Sequence, residues 1–96
     1  MSDITVIAHI RARPGKEAQV REALQNLVEP TRTEAGCSRY DLHCDLKDPA
    51  HFMFVERWES TEAHDRHMDS EHIAEFVMAS RGAIGESTIQ FFEAIA

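Results

Sequence analysis

The stretch "HDRHMDSEHIAEF" (64–76) gathers His64, His67 and His72. Imidazole ordinarily titrates near neutrality, so such a group can bind a metal, move protons, or simply sit at a surface. On an uninterrupted helix His64 and His67, three apart, share a face. His72 lies five residues past His67 and points about 140° further round. All three converge only if the helix breaks, and Asp69 or Ser70 can cap a new turn. The spacing therefore predicts a short helix, a kink near Asp69-Ser70, and a longer helix. A metal site needs three or four convergent ligands, and HxxH supplies two. With no HExxH, CxxC or Asp-rich loop beside it, no metal is expected. Taken singly, His64 reads as a solvated helix residue. His67, beside Met68, and His72, one turn before Phe76, read as packing groups at the edge of an apolar stripe.

Glu56 changes the weighting. It stands between Phe54 and Trp58 on the inward face of a strand, where a carboxylate is costly unless something satisfies it. A structural ion pair with an arginine would do so. So would a histidine, the carboxylate holding one imidazole tautomer while the other ring nitrogen moves a proton. Trp58 is either core packing or the flat wall of a pocket for an aromatic ligand.

The elements that position these groups follow from periodicity. "ITVIAHIRA" (4–12) alternates as a strand, and Pro14-Gly15 breaks it. From Lys16 to about Glu29 the apolar positions Val20, Ala23, Leu24, Leu27 and Val28 have helical spacing, with Pro30 and Gly36 framing the exit. "CSRYDLHCDL" (37–46) alternates again, with Tyr40, Leu42, Cys44 and Leu46 on one face. In "HFMFVERWE" (51–59), Phe52, Phe54, Glu56 and Trp58 share one face, Met53, Val55 and Arg57 the other, as in an interior strand covered on both sides. Ser60 is placed to cap a helix from about Thr61. A stripe of Ile73, Phe76 and Val77 carries the helical segment to about Arg81, and "STIQFFEAI" (87–95) closes the chain as a strand. The order β-α-β-β-α-β is that of a ferredoxin-like α+β fold, an antiparallel sheet with its helices on one side. An apolar outer sheet face would need a second sheet over it, which implies a homodimer.

The 96 residues allow one domain, 1–96. Net charge is −7, and the ten Lys and Arg form no basic stripe, which disfavours nucleic acid and anionic membrane as partners. No apolar run is long enough to span a bilayer, and no basic segment precedes the first apolar run, so a cytoplasmic protein is expected. Cys37 and Cys44 lie on one extended segment, about 23 Å apart at strand rise, too far for a disulfide.

"ITVIAHIRARPGKEAQVREAL", "EAGCSRYDLH" and "FVERWESTEAHDRHMDSEHIAEF" together resemble the antibiotic biosynthesis monooxygenase (ABM) domain family over nearly the whole chain. The most specific part is E-x-W-x-S-x-x-A-x-x-x-H-x-x-x-x-H, met by Glu56, Trp58, Ser60, Ala63, His67 and His72. The resemblance implies a dimeric α+β barrel with an apolar pocket between sheet and helices. It also implies oxidation of a quinol or phenolic substrate by O₂ without metal or cofactor. His67 is then the first choice of base and His72 the second, with Phe52, Phe54, Trp58 and Phe76 lining the pocket. Haem-degrading relatives combine an asparagine on strand one with a tryptophan and a helix-two histidine. This chain has Ala8 near the asparagine's place and no asparagine on strand one. An isomerase of a phosphorylated signal is also similar. It would need a basic cluster, for which Arg39 and Arg57 are the nearby residues. A non-catalytic module that binds an apolar molecule is the remaining alternative.

Overall fold

The computed structural model describes residues 3–96. Its elements are β1 (Ile4–Ala12), α1 (Glu17–Arg32), β2 (Cys37–Asp45), β3 (Asp48–Trp58), α2 (Thr61–Met68), α3 (Glu71–Ala79) and β4 (Ile84–Glu93). All neighbours in the sheet are antiparallel, in the order β2-β3-β1-β4, the ferredoxin-like topology. The second helical segment is split into α2 and α3.

Alternation does the positioning. Val6, Ala8, Ile10 and Ala12 of β1 and Phe52, Phe54, Glu56 and Trp58 of β3 all turn inward and are buried. There they meet Val20, Ala23, Leu24 and Leu27 of α1. Ile7, Met53 and Val55 turn to the opposite face and are half-buried there, among His9, His43, Arg39 and Arg57. The outer face is thus a narrow apolar strip among polar side chains, not the uniformly apolar surface that β3 alone suggested.

Several boundaries and exposures differ from expectation. Helix α1 runs through Pro30 to Arg32. Proline there removes the N–H that would bond to Asn26, but Asn26 is exposed, and Pro30's own carbonyl accepts from the Thr33 hydroxyl (2.8 Å). Strand β3 starts at Asp48, so Leu46 lies in the tight turn beyond β2 and is fully exposed. Val77 of the α3 stripe is also exposed. Strand β4 spans Ile84–Glu93; Ile89 and Phe91 share the inner face with Ala8 and Val6, Phe92 turns to the outer face with Thr5, and all three are partly exposed at this sheet edge. Cys37 and Cys44 are both free thiols.

The kink falls where the sequence placed it. Ser60 caps α2 by accepting from the Ala63 N–H (3.1 Å). Ser70 is extended, accepts from Ile73 N–H at the start of α3, and donates its hydroxyl to the His67 carbonyl (2.6 Å). One serine therefore ends one helix and begins the next.

Candidate active site

The kink turns His67 and His72 toward each other, with ring centroids 5.9 Å apart. What lies between them is Glu34, from the connection joining α1 to β2. His67 Nδ1–H donates to Glu34 Oε2 (2.6 Å), and His72 Nε2–H donates to the same oxygen (2.8 Å). Gly36 makes this approach feasible. Its φ is +87°, and a Cβ there would stand 2.8 Å from the Ala63 Cβ and 2.9 Å from Glu59 Cγ. With the Glu59 N–H bonded to the Gly36 carbonyl (2.8 Å), the connection lies tightly against the start of α2. That contact sets Glu34 beside the histidines.

Glu56 has different partners. Its Oε1 accepts from Trp58 Nε1–H (2.9 Å) and lies 3.8 Å from His64 Nε2, beyond hydrogen-bonding distance. Burial raises the Glu56 carboxyl to about 7, partly opposed by the Trp58 hydrogen bond and assisted by the negative charge of Glu34. Burial also lowers the pKa of His64, as does the neighbouring His67. His67 is lowered by burial too, against the opposing pull of its hydrogen bond to Glu34. At neutral pH the site therefore holds neutral imidazoles beside an acid poised to take or give a proton.

A cavity of about 150 Å³ opens between sheet and helices, with Tyr40, Phe54, Glu56, His64, His67 and Phe76 among its lining side chains. Tyr40 stacks on Phe54 (4.4 Å) and meets His67 edge-on (5.4 Å). Ile84 and Ile89 close the β4 side. No lysine or arginine lines the cavity.

The structure brings Glu56, His67, Phe54 and Phe76 to this cavity, with His72 behind His67. It does not bring Trp58 to the surface of the cavity. The indole is fully buried, 4.9 Å from the His67 ring and 5.8 Å from His64, and acts as a backing and as the donor to Glu56. Phe52 is buried core midway along β3, outside the cavity. Arg39 lies outside it as well, half-exposed and ion-paired with Asp41 (2.7 Å).

Two participants were missed. His64, expected in solvent, is 3% exposed and faces Glu56. The signal was present: His64 shares a helix face with His67, so an inward His67 carries His64 inward. Glu34 has no such signature, since only folding of the α1–β2 connection brings it to His67 and His72. A buried histidine pair in need of an acceptor, and an acid two residues before a glycine, were the available clues.

Residues 3–79 match the family model described as "Antibiotic biosynthesis monooxygenase". "Putative monooxygenase Rv0793" of Mycobacterium tuberculosis is 34% identical over 85 residues, covering 88% of this chain and 79% of that protein. "Probable quinol monooxygenase YgiN" of Escherichia coli is 27% identical, covering 94% of this chain and 96% of that one. The crystal structure of PA3566 from Pseudomonas aeruginosa superposes with a TM-score of 0.95 at 34% identity, over 100% of this chain and 97% of that one. The chain spans about half the length of one further curated relative, which is 32% identical over 77 residues. On the family match together with the ferredoxin-like sheet and its histidine-lined cavity, the chain belongs to the antibiotic biosynthesis monooxygenase family.

Proposed function

We propose that this protein is a cofactor-independent monooxygenase acting on a small quinol or phenol, with His67 as the proton acceptor. The observation that carries this reading is the Glu34–His67 pair at the wall of an apolar cavity. Glu34 ties up Nδ1, so Nε2 is the nitrogen left to accept a proton. Deprotonating an electron-rich phenol is the one demand the chemistry makes of the protein. The phenolate gives an electron to O₂, and the radical pair joins as a carbon-bound peroxide. Cleavage of its O–O bond releases one oxygen as water and leaves the other as a carbonyl. The substrate supplies all four electrons, so no separate reductant is needed. Glu56, poised near neutrality, is suited to return a proton to the departing oxygen.

Cavity size supports a substrate of about one aromatic ring, since a cavity of about 150 Å³ accepts benzene. It is far too small for a porphyrin, which disfavours haem breakdown. The absence of lysine and arginine from its lining disfavours a phosphorylated isomerase substrate. The half-buried strip of Ile7, Met53 and Val55, with the exposed Phe92 on β4, supports a homodimer packed through its outer sheet faces, which light scattering would test.

The deciding experiment is oxygen uptake by metal-free protein across one-ring phenols and quinols, with ¹⁸O₂. One labelled oxygen in the product and one in water is expected. No uptake across the panel would sink the proposal, and solvent proton exchange without uptake would favour the isomerase. A change in melting temperature on ligand addition with neither reaction would favour a binding module.

A further inference from the structure

Among the described residues one group of three has metal-ligating atoms that converge: Glu34, His67 and His72, all within 4.8 Å of one another. We infer that this group is a binding site for a divalent first-row transition ion, Zn²⁺ foremost, and that the bound ion switches off His67 as a base.

The ligand types are two imidazoles and one carboxylate, which suit borderline ions better than Mg²⁺ or Ca²⁺. The ligands come from three different segments: the α1–β2 connection, the end of α2 and the start of α3. Two contacts hold them in place: the Glu59 N–H bond to the Gly36 carbonyl keeps the connection against the start of α2, and Ser70 bridges the two helices. Both imidazole nitrogens already point at one carboxylate oxygen, at 2.6 and 2.8 Å, so an ion needs only local side-chain adjustment to sit among the three atoms. The His72 and Glu34 side chains are 18% and 16% exposed, and His72 also lines an open groove of about 440 Å³ between α1 and α3. Solvent therefore reaches the site on the groove side, where water can complete the coordination shell. Glu34 and His72 do not line the cavity that holds Glu56 and His64, so the ion would sit behind the reaction pocket and not in it.

The inhibitory consequence is a matter of tautomers and rests on the proposed role of His67. In the free protein the His67 proton is on Nδ1, in the bond to Glu34, and Nε2 carries the lone pair. An ion takes the Nδ1 lone pair, so the ring proton must move to Nε2. His72 moves its own proton from Nε2 to Nδ1 for the same reason. No net proton is lost, but Nε2 of His67 becomes a donor and can no longer accept a proton from the substrate.

Zn²⁺ titration of chelator-stripped full-length protein by calorimetry tests the site. One ion per chain is expected, with affinity about tenfold or more weaker in His72→Ala and unchanged in His51→Ala. No saturable binding, equal affinity in His72→Ala, or loss in His51→Ala would overturn it. Histidine nitrogen NMR of the unsubstituted protein gives a readout independent of any variant. The His67 and His72 rings should exchange tautomers on Zn²⁺ addition, and unchanged rings there would also overturn the site. Oxygen uptake should fall in proportion to zinc occupancy. Binding with both tautomer changes but undiminished uptake would refute His67 as the base while leaving the metal site standing.

Discussion

The two faces of the sheet carry similar side chains to different ends. On the inner face Glu34, His67 and His72 form a carboxylate–imidazole cluster, and Glu56 faces His64 nearby. On the outer face Asp45 accepts from His51 (3.1 Å), His51 meets His9 (2.9 Å), and Arg11 pairs with Asp48. His64 and His67 are almost fully buried, whereas the His51 side chain is a quarter exposed and Asp45 more so. Burial makes Glu56, His64 and His67 costly to charge and so moves their proton affinities. Water screens the outer charges and leaves them with modest mutual energies. Residue type alone does not make a reactive site; exclusion of water does.

Replacing His67 should separate the two faces most sharply. His67→Ala is expected to lower oxygen uptake by about 10²–10⁴-fold, the usual contribution of a positioned base. A retained rate would transfer the role to Glu56 or His64. Glu34→Gln keeps an acceptor for Nδ1–H but removes the charge that favours the imidazolium. It should lower kcat by about tenfold, roughly 1.4 kcal/mol, with little change in KM.

The pH dependence of stability comes next in size. Glu56 has a folded pKa of about 7, above its ordinary value of 4.5, so between those values the folded state holds more protons than the unfolded one. Stability therefore falls as pH rises from about 4.5 to 7 and then levels, a loss on the order of 3 kcal/mol. Thermal melts across that range should show the slope. Glu56→Gln, which still accepts from Trp58, should flatten it and be the more stable protein at pH 8. An unchanged slope would mean that water reaches the carboxylate.

Much of this arrangement was legible in the chain. Alternation put Glu56 inward on β3 because a strand's period leaves no other choice once Phe52, Phe54 and Trp58 are inside. Ser70 marked the kink because an uninterrupted helix cannot bring His72 to His67. What escaped was of two kinds. Pro30 was read as a stop, yet its own carbonyl is satisfied by Thr33 and the partner it denies to Asn26 is available from water, so the helix continues. Glu34 escaped because its role depends on how closely a short connection can lie against α2, a fact of packing and not of spacing.

That packing gives a smaller prediction. Gly36→Ala would place a methyl within 2.8 Å of the Ala63 Cβ at a positive φ. It should cost about 1–3 kcal/mol, seen as a melting temperature lower by roughly 4–8 °C per kcal/mol, and loosen the Glu34–His67 bond. Thus kcat should fall with stability, by a change distant from the reacting atoms. A variant that melts lower but turns over normally would show that Glu34 reaches His67 without the tight connection.

The smallest effect belongs to the outer face. His51→Ala removes the link between Asp45 and His9, yet each partner retains access to water, so stability should change by less than about 1 kcal/mol. Turnover and zinc affinity should not move. The residue borders the half-buried strip of Ile7 and Met53, so any larger effect would appear as a concentration-dependent melting temperature, through loss of the proposed sheet-to-sheet association. If His51→Ala instead slowed oxygen uptake at every protein concentration, the outer histidines would be coupled to the cavity. His9 is the residue through which that coupling would run, since it touches both His51 and the cavity lining. The division between a reactive inner face and a screened outer one would then fail at that strand.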